Sequence, residues 1–293
     1  MGDSFQTRVL TVTMTLAHGA TFASSGSNTI KLSGYRTEAS ITQAGGQATG
    51  YADVNIYGML ESDMNDLTSL SFDNLIKARK KEEIFQHTIL IEADGVLCFM
   101  GNIIDCWGNY NAQPDVHLQV HAVTQYFDKI NPYPPTSLSQ PFDVSAVMGG
   151  FAKAMGLQLE NNGVNIKKAS SYYSGSVMDQ AAHLATQANI DLWYQGYTMV
   201  IIPKGASRTF PIPFISKDTG LVSYPSFDNM GVTFRCLFNP AIHFLSTIEL
   251  SSPVIRANGR WIVNSLRYTL ESEKPGGAWF MDIRGGKAAS YGG

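Results

Sequence analysis

The chain is poor in charged residues, which make up 15% of its 293 residues, against about 25% in a typical globular domain. Its formal net charge is −3. A dedicated nucleic-acid-binding protein usually carries a strongly basic patch, so the acidic balance argues against that class. Hydrophobic residues make up 44%, which is enough to build a core and excludes a disordered chain. A surface with so little charge is expected to face other protein over part of its area.

Cysteine is also scarce. Cys98, Cys106 and Cys236 are an odd number and form no CxxC pair. They predict small buried thiols in a protein made in a reducing cytoplasm, and neither a disulfide nor a metal site.

Long apolar runs are missing as well. No stretch reaches the roughly 18 to 20 apolar residues that a membrane-spanning helix needs. Residues 9–23 follow Arg8 and have the length of a signal peptide, but their apolar residues alternate with threonines, which predicts a strand. We therefore expect a soluble protein without stable membrane insertion.

Glycine and aromatic residues are abundant: 27 glycines, 13 tyrosines and 15 phenylalanines indicate many turns and half-buried strands. A short polar helix is predicted at residues 62–70. The predicted strands before and after it span residues 8–16, 31–42, 50–59, 83–93, 96–106 and 115–127. Strands at this spacing, with so little helix between them, predict a first β domain over residues 1–131, built as a barrel or a sandwich.

The pattern changes after residue 131. Residues 131–137 contain three prolines within four residues, which can continue neither a helix nor a strand ladder and so predict a domain boundary. Asp143 is a plausible cap for a helix that ends near Gly156, and Ser176 with Asp179 predicts a capping box that starts a second helix. The apolar stripe of the first helix consists of Val144, Val147, Met148, Phe151 and Met155. With a hairpin around Gln195-Gly196, these elements predict a small α+β module over residues 132–208, with Phe151 in its core.

The last segment, residues 209–293, is predicted to return to β structure. Asn258-Gly259 is a strong two-residue hairpin signal and predicts that residues 253–256 pair with residues 260–271. Pro275-Gly276-Gly277 predicts a second tight turn before a strand at 278–284. The tail, residues 285–293, has four glycines and no apolar periodicity, so it is expected to be mobile.

Residue patterns that carry chemistry are weak throughout the chain. His117 and His121 alternate with apolar residues on a predicted strand, which places their side chains about 13 Å apart and favours two polar-face histidines over a metal site. The glycine-rich residues 45–50 fit no phosphate-binding motif, and the basic run at residues 77–81 is followed by two acids, so it is interpreted as a solvated or protein-contacting face. Three tryptophans sit in alternating strands and are predicted as core aromatics and not sugar platforms: Trp193, Trp261 and Trp279. The sequence predicts no enzyme, no cofactor and no metal.

The final third of the chain carries more specific features. Arg235-Cys236-Leu237-Phe238-Asn239-Pro240 is followed by a strand at 248–252 and then by Asn258-Gly259-Arg260-Trp261-Ile262-Val263. The next matching residues are Leu266 and Pro275-Gly276-Gly277-Ala278-Trp279. This order resembles the last segment of baseplate hub proteins of contractile-tailed bacteriophages, the late-control D-like tail hubs. Arg267-Tyr268 departs from that pattern, which often has a histidine there, so no role is carried over to this position.

The N-terminal part is similar to the same hubs. The matching stretches are Ala39-Ser40-Ile41, Ala52-Asp53-Val54-Asn55-Ile56-Tyr57-Gly58-Met59, Asp66-Leu67-Thr68-Ser69-Leu70 and Phe99-Met100-Gly101-Asn102-Ile103. Each stretch is unspecific alone, and their order along nearly the whole chain carries the resemblance.

The resemblance implies a fold and a role. It implies two tail-tube-like β-barrel domains with the α+β module as an insertion, and a homotrimeric ring that adapts the sixfold tail tube to the threefold central spike. The implied partners are the tail tube protein, the spike and the wedge proteins of the baseplate, with DNA passing transiently through the lumen of the virion's tail. Assembly would take place in the host cytoplasm. The residues expected in ring contacts lie on the strand around residue 54 and on the final hairpin: Val54, Ile56, Tyr57, Trp261, Val263 and Trp279.

Two other interpretations stay open at this point. The middle module and the tryptophans also fit a cell-wall-binding or glycan-degrading tail component. The barrel without the threefold role also fits a tail tube or initiator protein.

Overall fold

The computed structural model describes residues 8–17, 19–43, 49–69, 86–229 and 231–287. The chain forms two compact units, each assembled from separate stretches. The first unit contains residues 1–41, 51–124 and 268–279, and the second contains residues 42–50, 125–267 and 280–293. The three contiguous segments proposed from the sequence, 1–131, 132–208 and 209–293, stay a prediction.

The first unit is an antiparallel sheet. Its strands are β1 (Leu10–Thr15), β2 (Thr29–Ser33), β3 (Thr37–Gln43), β4 (Tyr51–Tyr57), β5 (Thr88–Ala93), β6 (Val96–Asn109) and β7 (His117–Val123). They lie in the order β3-β4-β7-β6-β5-β1-β2, and the end of β19 (Gly259–Ser272) lies beside β3. A short helix, α1 (Glu61–Leu67), follows β4, and a 3-10 turn (Tyr110–Ala112) follows β6.

Alternation along these strands places apolar side chains in the core. In β1, Leu10, Val12 and Met14 are buried, while the threonines between them are half-buried. This confirms the strand expected at residues 8–16. β5 and β6 are joined by Asp94-Gly95, both with positive φ, which is the geometry that a two-residue hairpin requires.

Several strand boundaries in this unit differ from the prediction. The strand expected over residues 31–42 is two strands, because the chain turns at Gly34, whose φ is +77°. The strand expected over 115–127 ends at Val123, and the helix α2 (Tyr126–Ile130) follows. Residues 70–85, which include the basic run and parts of two predicted elements, lie outside the described residues.

The α+β portion of the second unit consists of two helices and small sheets. The helices are α3 (Val144–Ala154) and α4 (Val177–Ala188). β10 (Gln158–Asn161), β14 (Thr198–Pro203) and β13 (Ile190–Gln195) form a three-stranded sheet in which β10 and β14 are parallel. Two two-stranded pairs complete it: β8 (Thr136–Leu138) with β12 (Ser171–Tyr173), and β9 (Phe142–Asp143) with β11 (Lys167–Lys168).

Both helix starts follow the predicted capping chemistry. The Asp143 side chain accepts a hydrogen bond from the Ser145 amide, and Ser176 and Asp179 form both hydrogen bonds of a capping box. Helices and sheet share one apolar cluster in which Phe151 is 3% exposed, which confirms its predicted place in the core.

The remaining strands of the second unit pair side by side. They are β15 (Phe214–Ile215), β16 (Ser226–Asp228), β17 (Gly231–Leu237), β18 (Thr247–Leu250), β19 and β20 (Trp279–Gly286). Their order is β16-β17-β20-β19-β18-β15, and β20 confirms the strand expected after the Pro275-Gly276-Gly277 turn.

The hairpin predicted at Asn258-Gly259 is wrong. Asn258 has a φ of −73°, whereas a type I′ turn needs a positive value there, and Ile255–Ala257 is a 3-10 turn and not a strand. The Asn258 side chain instead accepts a hydrogen bond from the Ser252 amide and donates one to the Ser252 carbonyl. The first residues of β19 pair instead with β18, with Leu250 opposite Gly259.

The fold class is mainly β with large antiparallel sheets. Within the described ranges, no helix has the length and apolar character needed to span a membrane.

Candidate functional site

The first unit has an open groove on the face of its sheet that points away from the apolar core. Five strands contribute to it, and its volume is about 590 Å³. Four carboxylates line it, together with the exposed indole of Trp107 and the imidazole of His121. The carboxylates belong to Glu38, Asp53, Asp105 and Glu271, and no lysine or arginine is among the described residues that line this groove.

Strand alternation explains the polarity of this face. On β4, Val54 and Ile56 point into the core, so Asp53 and Asn55, which alternate with them, point into the groove. Asp53 lies opposite His121 on β7, and the His121 Nδ1 is 2.7 Å from the Asp53 Oδ1. The groove is therefore a direct product of the period-2 pattern.

Lys274 bonds to two carboxylates of the groove, although it lies 236 residues away from Glu38 in sequence. Its Nζ donates hydrogen bonds to the Glu38 Oε1 at 2.9 Å and to the Glu271 Oε1 at 2.8 Å. Partial burial opposes ionisation of Glu38, but the hydrogen bond and charge of Lys274, together with Arg36, lower the pKa of this carboxyl below its ordinary value. Glu38 therefore remains an anion at neutral pH.

Tyr57 belongs to a polar network around Glu38, one of the four carboxylates of the groove. The Arg36 guanidinium stacks 4.1 Å from the centre of the Tyr57 ring and pairs with Asp115 at 3.1 Å. The Tyr57 hydroxyl donates to the Glu38 Oε2 at 3.3 Å. Burial, followed by the charge of Glu38, raises the pKa of the phenol. The network fixes Tyr57 as a neutral, partly exposed aromatic group.

The predicted ring-contact residues on β4 have different exposures. Val54 and Ile56 are at most 1% exposed within the chain, whereas Tyr57 is half-buried. The side chains of Val54 and Ile56 thus build the chain's own core, and Tyr57 is the one that reaches the surface.

The other three predicted contact residues are buried as well. Trp261 is 3% exposed, Val263 is fully buried and Trp279 is 5% exposed. The Trp261 indole Nε1 donates to the Ala257 carbonyl at 2.8 Å, so its polar atom is satisfied inside the chain. The place of these three residues in ring contacts stays a prediction. The structure shows that their side chains are buried in the chain's own core.

The two histidines lie on one strand as predicted, and the side chain of His121 is the more exposed of the two. His117 is 9% exposed, its Nδ1 donates to the Asp115 carbonyl at 2.8 Å, and its ring lies 4.8 Å from that of Tyr57. Among the residues with described positions, no group of three His, Cys, Asp or Glu residues is placed to hold a metal ion.

A family model described as baseplate hub gp41 matches residues 9–276. The chain belongs to the baseplate hub gp41 family. The resemblance seen in the order of the sequence motifs is thereby confirmed, and the protein is a structural component of a phage tail baseplate. A search of curated proteins finds no relative of this hub protein.

Solved structures of tail proteins share the hub's fold. The 43 kDa tail protein of prophage MuSo2 from Shewanella oneidensis matches with a TM-score of 0.63 and 11% identity over 95% of this chain and 98% of its own. A tail protein from Neisseria meningitidis matches with a TM-score of 0.66 and 9% identity over 95% and 96%.

A third structure comes from a secretion system. It is an Escherichia coli component of the type VI secretion system, described as similar to the T4 tail proteins gp27 and gp5. It matches with a TM-score of 0.57 and 4% identity over 87% of this chain and 74% of its own. At these identities the likeness concerns the fold alone.

The hub's three cysteines and three of its four tryptophans are core residues. Burial raises the pKa of each of the three thiols, Cys98, Cys106 and Cys236, to about 12, so they are unreactive at neutral pH. Trp193 is 3% exposed and packs 4.7 Å from the Phe244 ring, which confirms a core role for it together with Trp261 and Trp279.

The sequence reasoning missed one buried charge, Arg208, which is 6% exposed. It lies at the predicted boundary between the α+β module and the last segment, where a lone arginine among polar and proline residues gives no signal of burial. Its partners, Glu160 and Gln195, lie 48 and 13 residues away in sequence, and no local pattern links them to Arg208.

Proposed function

We propose that three copies of this hub close into a ring that adapts the sixfold tail tube of a contractile tail to the threefold central spike. The match to the hub family over residues 9–276 carries this proposal, because it spans both units and not a single module. The role is mechanical assembly without catalysis. The partners are the tail tube protein, the spike and the wedge proteins of the baseplate.

Two physical properties favour a ring: the tendency of exposed strand edges to pair, and the low content of charged residues. Tube-like β-barrels that meet edge to edge remove exposed strand edges, and an obligate ring interface is large and apolar. A surface with only 15% charged residues fits such an interface. Tyr57 is the predicted contact residue with the most direct access to a neighbouring copy.

We assign the acidic groove of the first unit to the wall of the DNA channel. Duplex DNA binds to surfaces that offer lysine and arginine to its phosphates. The groove offers four carboxylates instead, and its nearest described cation, Lys274, is already bonded to two of them. Three copies also carry a formal net charge of −9, three times the −3 of one chain. Such a wall lets DNA pass without adhesion.

The oligomeric state tests the ring. Light scattering of the purified chain is expected to give a mass of about three times 32.0 kDa, and low-resolution images a ring with threefold symmetry. A stable monomer or a hexamer would contradict the hub and favour the tube or initiator interpretation. Binding or turnover of purified peptidoglycan by the isolated protein would contradict the purely structural role.

Charge reversal tests the channel wall. Asp105→Lys places a cation in the groove, and we expect slower DNA ejection from virions that carry it, with unchanged tail assembly. Asp218→Lys makes the same charge change at an exposed loop outside the groove and is expected to leave ejection unchanged. Equal ejection rates in the two variants would show that the groove does not face DNA.

A further inference from the structure

Residues 204–213 connect β14 to β15 and contain no helix or strand, only a single parallel bridge between Arg208 and Ser246. We call this segment the strap. Its second residue, Gly205, has a φ of +75°, and Pro211 and Pro213 lie at its end. A segment of this composition has little structure of its own, so its position depends on the contacts it makes.

Arg208 is the centre of these contacts. Its Nε and Nη2 donate to the two carboxylate oxygens of Glu160 on β10, at 3.0 and 2.8 Å, and its Nη1 donates to the Gln195 Oε1 on β13 at 3.1 Å. The side chain thus binds two strands of the α+β sheet at once. The bidentate geometry is the strong form of an arginine–carboxylate pair.

The rings around the guanidinium exclude water from it. Trp193 and Phe210 lie 5.6 and 4.8 Å from the guanidinium carbon, and the Phe210 ring stacks on His243 at 4.2 Å. The Arg208 side chain is only 5% exposed, whereas that of Glu160 is 36% exposed. Water and ions can therefore reach the pair from the Glu160 side alone.

The backbone of the strap is attached to a different part of the second unit. The Arg208 amide donates to the Leu245 carbonyl at 2.8 Å, beside the bridge to Ser246. One residue therefore joins β10 and β13 to the loop at residues 243–246. A buried arginine that loses its carboxylate is strongly destabilising, so the joint is stable when all its bonds form and unstable when one charged partner leaves.

We propose that the strap is a joint with two positions. In the closed position, the bonds of Arg208 to Glu160 and Gln195 fix the α+β portion to the loop at residues 243–246. When the Arg208–Glu160 pair opens, the strap moves away from β10 and β13, and the α+β portion can reorient. In the closed position the guanidinium donates three hydrogen bonds, one each from Nε, Nη1 and Nη2. The open position returns the guanidinium to water, where its charge needs no partner. This inference is independent of the ring and of the channel.

Hydrogen–deuterium exchange on the full chain tests the joint. In Glu160→Gln, the amides of residues 204–213 are expected to exchange at least about tenfold faster, the change that corresponds to one charge-assisted hydrogen bond. The amides of α3, which do not touch the strap, are expected to keep their protection. Gln195→Ala removes a bond without leaving a charge unpaired and is expected to give a smaller change in the same residues.

A matched surface pair serves as the control. Asp228→Asn breaks the Arg284–Asp228 pair, whose side chains are 38% and 61% exposed, and is expected to leave exchange in the strap unchanged. Unchanged exchange of the strap in Glu160→Gln would overturn the proposal. Equal loss of protection in α3 and in the strap would also overturn it, because the pair would then support the whole core and not a local joint. If Glu160→Gln fails to fold, the same criteria apply to Gln195→Ala.

Discussion

Single buried side chains near the end of the chain hold the first unit together. Trp279 is 5% exposed, and the Arg8 guanidinium lies 6.0 Å from its ring. We expect Trp279→Ala to lower the free energy of unfolding by about 3–5 kcal/mol, because it removes a large buried ring and leaves a cavity. Urea unfolding followed by circular dichroism measures this change.

The exposed Tyr224 provides the control for this substitution. It is 76% exposed, so Tyr224→Ala is expected to change the free energy of unfolding by less than about 0.5 kcal/mol. Similar unfolding midpoints for the two variants would show that Trp279 does not carry the packing assigned to it.

At the residue scale, the sequence predicts burial well and polar partners poorly. Phe151, the three cysteines and the three tryptophans have apolar or alternating surroundings, and their burial follows from those local patterns. Lys274 and Glu38 are 236 residues apart, and nothing in their local sequence indicates a contact. The groove was missed for the same reason: its four carboxylates lie on four separate strands.

At the scale of helices, the capping box of α4 is a strong local determinant. The Asp179 amide donates to the Ser176 hydroxyl, and the Ser176 amide donates to the Asp179 carboxylate, both at 3.1 Å. Ser176→Ala is expected to cost about 0.5–2 kcal/mol of stability. The shift of the thermal unfolding midpoint measures this cost.

Ser174 offers a close control two residues earlier. It is exposed, so Ser174→Ala is expected to leave the unfolding midpoint nearly unchanged. If both substitutions shift the midpoint equally, the cap bonds do not account for the cost.

Most elements with strong local signals were predicted correctly, but one turn with such a signal was not. The hairpin of β13 and β14 and both capped helices follow from signals within a few residues. The Asn258-Gly259 signal failed because the Asn258 side chain bonds to Ser252 and closes a loop of its own. A local turn preference was therefore overridden by a side-chain hydrogen bond six residues away.

At the scale of the molecule, β19 contributes to both units. Its residues 259–267 belong to the second unit and residues 268–272 to the first. We expect Leu270→Ala to weaken the first unit by about 2–5 kcal/mol and to speed amide exchange in β3 and β4, while the α+β core keeps its protection. Leu270 is fully buried, so the substitution leaves a cavity there.

Leu192 provides the reciprocal test. It is 2% exposed in the α+β core, and Leu192→Ala is expected to speed exchange in α3 and α4 and to spare β3 and β4. Identical exchange patterns in the two variants would show that the chain opens as one cooperative unit. The sequence alone predicts neither pattern, because contiguous segments were the only division that local composition could suggest.

The late position of residues 268–279 also affects the order of events during synthesis. The first unit cannot complete its sheet until this stretch leaves the ribosome, roughly 150 residues after β7, which takes about 7 to 30 s at bacterial elongation rates. The two helices and the three-stranded sheet of the α+β core are complete by residue 203, so they can form during that interval. Until then β3 lacks its neighbouring strand and is an exposed edge of the nascent sheet. Chaperones shield such edges from pairing with chains on other ribosomes.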